Sequence, residues 1–85
     1  MRLYKYPKGR WCWLYRADAF EKKTSGLWSE KYPPSAKIET QRDIFFVEED
    51  IFKETELFMA FKLPENDRGY ETIVLVKTHI EIIEK

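Results

Sequence analysis

The sequence predicts an all-β fold, a small antiparallel barrel or roll of five to six strands, in one domain spanning residues 1–85. Three observations lead there. Side chains favourable to strands alternate with polar ones over most of the chain, Pro and Gly interrupt these runs at short intervals, and 85 residues suffice for only one core. An α+β alternative places a helix over residues 48–61, packed on the sheet.

The elements follow in order. Arg2–Tyr6 reads as a strand, and Tyr6, Pro7, Lys8 and Gly9 suit a type I turn with Pro second and Gly fourth. Arg10–Arg16 resumes with aromatic and β-favouring residues, so the two runs predict a hairpin. Along the second run, Trp11, Trp13 and Tyr15 share one face, and Arg10, Cys12, Leu14 and Arg16 share the other. Residues 17–26 suit either an extension of that strand or a short helix closed by Gly26. Pro33 and Pro34 make Ser29–Lys37 an irregular loop.

Lys37–Val47 is extended. In the next stretch, Glu48, Glu49 and Asp50 suit a helix start, and Ile51, Phe52, Thr55, Phe58 and Met59 fall at helical spacing. Leu57, Met59, Phe61 and Leu63 alternate instead, which favours a strand over Glu56–Leu63. A loop of Pro64, Glu65, Asn66, Asp67, Arg68 and Gly69 leads to a last strand, Tyr70–Ile83. Its Thr72, Val74, Val76, Ile80 and Ile82 share one face, with Ile73 and Leu75 covered on the other.

Composition narrows the function. Fifteen Lys and Arg balance fifteen Asp and Glu, and 44% of residues are hydrophobic, so the chain is outside the disordered class. No apolar run approaches the roughly 20 residues of a membrane span, and no apolar segment of a secretory signal follows Met1. Cys12 is the only cysteine, which excludes an internal disulfide and predicts a reducing, cytoplasmic setting. Charge is segregated: residues 1–42 carry ten basic and four acidic side chains, and residues 43–85 carry five and eleven. Two halves of opposite sign either attract each other within the fold or mark an interaction surface.

Catalytic chemistry is hard to assemble. Gly9, Gly26 and Gly69 are too far apart for a phosphate loop, and Ser25, Ser29 and Ser35 lie in no nucleophile elbow. Cys12 and His79 are each single, so no metal site, cofactor or nucleophile–base pair is assigned. Glu48–Asp50 reads as a solvated acidic run. Glu65, Asn66 and Asp67 read as a turn, because the alternating ligands of a calcium loop are missing.

The positive signal is the interleaving of rings and cations near the start of the chain. Trp, Tyr and Arg are the types most enriched at the energetic centres of protein interfaces. The expectation is therefore a non-enzymatic module that binds a protein partner as an inhibitor or adaptor. Tyr4, Tyr6, Arg10, Trp11, Trp13, Tyr15 and Arg16, with Trp28 and Tyr32 from the proline-bearing loop, are its candidate contacts. No family is recognised; compact, aromatic-rich domains of this kind are common among mobile-element and phage accessory proteins that bind and block a host enzyme, which makes that type the expectation by analogy alone. The alternative partner is single-stranded RNA or DNA, with Lys5, Lys8, Arg10 and Arg16 on phosphate and the rings on bases. A third possibility is that Trp11, Trp13 and Tyr15 simply fill the core.

Overall fold

The computed structural model describes residues 2–84. It is all-β, as the alternation predicts, but has ten short strands rather than five or six and does not close into a barrel. In chain order they are β1 (Leu3–Tyr6), β2 (Trp11–Arg16), β3 (Phe20–Lys22), β4 (Trp28–Glu30), β5 (Ala36–Glu39), β6 (Ile44–Val47), β7 (Ile51–Glu54), β8 (Phe58–Lys62), β9 (Tyr70–Val76) and β10 (Glu81–Glu84). They form a three-stranded sheet β10-β1-β6, a five-stranded sheet β5-β2-β9-β8-β7 and the hairpin β3-β4, with every pairing antiparallel.

The expected hairpin of Arg2–Tyr6 with Arg10–Arg16 does not form. A turn does occur at Lys8 and Gly9, but it carries the chain from one sheet to the other. Thr40, buried in the later crossover from β5 to β6, holds this corner. Its hydroxyl donates to the Pro7 carbonyl at 2.8 Å and accepts from the Arg10 amide at 3.0 Å. Its carbonyl accepts from the Gly9 amide, and its own amide donates to the Arg10 carbonyl, both at 2.9 Å. Gly9 has φ +81°, a conformation that costs glycine little. Pro7, Gly9 and Arg10 are thus all bonded to one residue thirty or more positions further along the chain.

The same crossing between sheets shortens the other expected strands. Lys37–Val47 breaks at residues 40–43, and Tyr70–Ile83 breaks at a 3-10 turn, Lys77–His79, so that β10 leaves the sheet of β9. The proposed helix over 48–61 is absent. Glu48–Asp50 forms a single 3-10 turn, after which β7 and β8 pair as a hairpin closed at Thr55, whose amide donates to the Phe58 carbonyl at 2.8 Å. The alternating Met59 and Phe61 point into the core and set that outcome. Residues 17–26 neither extend β2 nor coil: the chain turns at Asp18, φ 66°, into β3, and Gly26, φ 90°, closes the β3-β4 hairpin.

The core lies between the two larger sheets. Tyr4, Tyr6 and Phe46 from one meet Cys12, Leu14, Met59, Phe61, Ile73 and Leu75 from the other. Phe61 packs between two rings, stacked on Phe46 at 4.7 Å and edge-on to Tyr4 at 5.9 Å. Such ring pairs add about 0.5–1.5 kcal/mol each beyond area burial. The segregated charges meet where β1 of the basic half pairs with β6 and β10 of the acidic half. Lys5 lies 3.6 Å from Asp43, which also accepts from the Lys8 amide at 2.9 Å. The Lys8 amide chiefly holds the Asp43 carboxyl below its ordinary range, aided by the charge of Lys5.

Cys12 is fully buried, and burial pushes its thiol from 9.0 up to about 11. The folded state thus holds the proton more tightly than the unfolded state does. The resulting stabilisation is complete below pH 9 and is lost as pH rises towards 11, an interval worth about 2–3 kcal/mol. The difference in unfolding free energy between wild type and Cys12→Ala should shrink by about that amount across this range in denaturant melts. Parallel pH curves for the two proteins would show a thiol as solvated when folded as when unfolded.

Candidate functional site

Alternation along β2 turns Cys12 and Leu14 to the core and leaves Trp11, Trp13 and Tyr15 on the outer face of the five-stranded sheet. On β9 and β8 the same rule sends Ile73, Leu75, Met59 and Phe61 inward and Val74, Phe58 and Ala60 outward. Strand register then aligns one row across the outer face. Lys37 pairs with Trp13, Trp13 with Val74, Val74 with Ala60, and Ala60 with Lys53. The middle of this row carries only an isopropyl and a methyl group, so the sheet is hollow there.

Aromatic rings wall the hollow on two sides. Trp13 and Phe58 meet edge-to-face at 5.6 Å, and Tyr15 packs against Phe20 of β3 at 4.8 Å. Behind Phe20, Phe52 lies at 5.4 Å, and Trp28 of β4 lies 5.3 Å from Phe52. A bulge between Ile51 and Lys53 lets neighbouring residues Phe52 and Lys53 both reach Phe20, with the Lys53 ammonium 5.7 Å from its ring centre. The result is a cleft of about 440 Å³, with Glu30, Pro34 and Thr55 at its margins. That is within the usual size range of ligand sites.

The Tyr15 hydroxyl donates to the Glu30 carboxylate, tying the β3-β4 hairpin to the sheet. Burial first, then that bond and the charge of Glu30, push the phenol well above its ordinary 10. A second, more polar groove of about 600 Å³ lies on the other side of Phe20, lined by Arg16, Trp28, Phe52, Lys62 and Tyr70 among others. Arg16 sits 4.9 Å from the centre of the Tyr70 ring and donates to the Arg68 carbonyl at 2.7 Å. Asn66 closes the adjoining turn, accepting from the amides of Arg68 and Tyr70 and donating to the carbonyls of Pro64 and Tyr70. That is the turn chemistry expected of residues 65–67.

The candidate contacts thus separate into distinct places. Tyr4 and Tyr6 are core residues, because alternation on β1 turns both towards Phe61 and Leu75, and neither presents a surface. Trp11 is 49% exposed, Trp13 is half-buried and Tyr15 is 5% exposed, so the aromatic face runs from open to covered along β2. Trp28 joins the aromatic chain through Phe52, whereas Tyr32 stands exposed on its loop beside Lys31. Lys5, Lys8 and Arg10 gather near the Thr40 corner, and Arg16 is at the opposite end of β2. Phe20, Lys53, Phe58, Ala60 and Val74 complete the cleft between its margins and are not among the expected contacts. The one local signal for them is the alternation of Phe58 and Ala60 against Met59 and Phe61.

Among the described residues, no three His, Cys, Asp or Glu side chains are grouped to hold a metal, and no helix is long and apolar enough to cross a membrane. His79 is exposed in its 3-10 turn.

Stability should follow this geometry. Trp11→Ala should change unfolding free energy by no more than about 0.5 kcal/mol, whereas Trp13→Ala, which loses the Phe58 contact, should cost about 1–2 kcal/mol. Ala60→Phe should be tolerated within about 1 kcal/mol because the cleft receives the ring. A cost of about 1–3 kcal/mol in denaturant melts would show overpacking and no such room.

Comparison with protein-family models, curated proteins and solved structures finds no match for this chain.

Proposed function

We propose that this chain is a non-enzymatic protein-binding module, an inhibitor or adaptor that docks through the outer face of its five-stranded sheet. The observation that carries this reading is the cleft itself: an apolar floor of Ala60 and Val74 between walls of Trp13 and Phe58 on one side and Tyr15 and Phe20 on the other. Energetic centres of interfaces combine such aromatic anchors with pockets that exclude water. Trp11, exposed beside the cleft, extends the apolar surface.

Nucleic acid is the weaker reading. Binding to phosphate grows with the number of cations that can act together, yet Lys5 is engaged by Asp43 and Arg16 lies at the far end of β2. The free, buried thiol of Cys12 supports a reducing setting, and we assign the module to the cytoplasm on that basis.

The immobilised chain should retain a stoichiometric protein partner from host lysate. Trp13→Ala and Ala60→Phe should each weaken the purified complex by at least about 2 kcal/mol, the scale of an interface hot spot. Lys8→Gln, at the distant corner, should leave the affinity unchanged. A complex indifferent to both cleft variants, or weakened chiefly by Lys8→Gln and by salt, would contradict this reading.

A further inference from the structure

The geometry points to an acidic segment of the partner protein that crosses the strands, seats one large apolar side chain in the cleft and sets carboxylates against Lys37 and Lys53. This inference rests on the outer face being the docking surface and specifies what docks there. Lys37 on β5 and Lys53 on β7 end the row whose middle is the hollow at Val74 and Ala60. Neither ammonium has a carboxylate within 4.0 Å among the described residues. Each lies over rings instead: Lys37 is 5.0 Å from the Trp11 ring centre and 5.7 Å from that of Trp13, and Lys53 is 5.7 Å from that of Phe20.

The carboxylate at the cleft margin, Glu30, already accepts a hydrogen bond from Tyr15. Glu39 shares the outer face with Lys37, yet it is outside pairing distance. The face therefore presents two cations without acidic partners on either side of an apolar hollow. Charge complementarity calls for an anionic occupant. Aromatic walls can also receive a cation, but an incoming cation would meet Lys53 and Lys37 already placed over those rings.

Spacing defines the segment further. Four strand-to-strand steps separate β5 from β7, about 19 Å at roughly 4.8 Å per step. An extended chain covers that distance in about six residues at ~3.3 Å each. The fitting segment has two acidic residues about six positions apart and a Trp, Phe or Leu between them.

The test uses three acetylated, amidated peptides titrated into the isotope-labelled chain at low ionic strength, followed by amide and indole shifts. The probes are Glu-Ser-Ser-Trp-Ser-Ser-Glu and its counterparts with Gln or Lys in place of both Glu. The acidic peptide should bind about tenfold more tightly than the Gln peptide, shifting Trp13, Phe58 and Ala60. Lys37→Gln and Lys53→Gln should each weaken it by about two- to fivefold, the range of an exposed ion pair, and Lys53→Arg should retain binding. Equal or tighter binding of the Gln or Lys peptide, indifference to both lysine variants, or no binding of the acidic peptide overturns the inference. Loss of the captured partner on Trp13→Ala remains a separate result: it would preserve the cleft as a docking site and remove only the acidic segment.

Discussion

One phenolic hydroxyl joins the two larger sheets. Tyr6 is wholly buried on β1; its OH donates to the Trp11 carbonyl at 2.6 Å and accepts from the Val76 amide at 3.3 Å. Those partners are the first residue of β2 and the last of β9, the adjacent strands at the centre of the other sheet. A buried hydroxyl left without partners costs about 1–3 kcal/mol, so this ring is fixed in orientation as well as depth. Burial raises the Tyr6 phenol above its ordinary 10, and the bond from the Val76 amide works against that rise. The joint complements Thr40, which ties the adjoining corner through backbone and hydroxyl alike.

This arrangement has a consequence for the outer face. The inward space is filled by Tyr4, Tyr6, Phe46 and Phe61 arriving from three strands, β1, β6 and β8, which leaves room on β2 only for Cys12 and Leu14. The larger rings of that strand, Trp11, Trp13 and Tyr15, must face outward. The β3-β4 hairpin covers part of them, with Phe20 and Trp28 linked through Phe52, but it stops short of Ala60 and Val74. Residues that hold the sheets together and residues available to a partner therefore lie on opposite faces of the same strands. That separation makes the proposed docking role testable without unfolding the protein.

Much of this was legible in local patterns, and the remainder depends on distant contacts. Period-two alternation correctly divides β2 into a Cys12–Leu14 face and a Trp11–Trp13–Tyr15 face. Which face lies inside could not be read locally, because aromatic bulk is equally suited to a core and to an interface, and the competing rings come from β1, β6 and β8. The turn at Lys8–Gly9 was likewise visible, but its use as a corner is decided by Thr40. The loop at residues 64–69 is legible locally because Asn66 satisfies it internally. The cleft was only half visible: Trp13 and Tyr15 belong to the aromatic ladder, whereas Phe20, Lys53 and Ala60 join them through a bulge and strand pairings that no short window contains.

The union of the two larger sheets depends most on the Tyr6 joint, and native-state hydrogen exchange of Tyr6→Phe tests it directly. The substitution removes one oxygen and leaves the ring to pack. The free energy of opening should fall by about 1–3 kcal/mol, and by the same amount at amides of both larger sheets, such as Phe46 on β6 and Leu75 on β9, because the sheets open as one unit. Unchanged protection, or a loss confined to the three-stranded sheet while Leu75 keeps its wild-type value, would contradict the account.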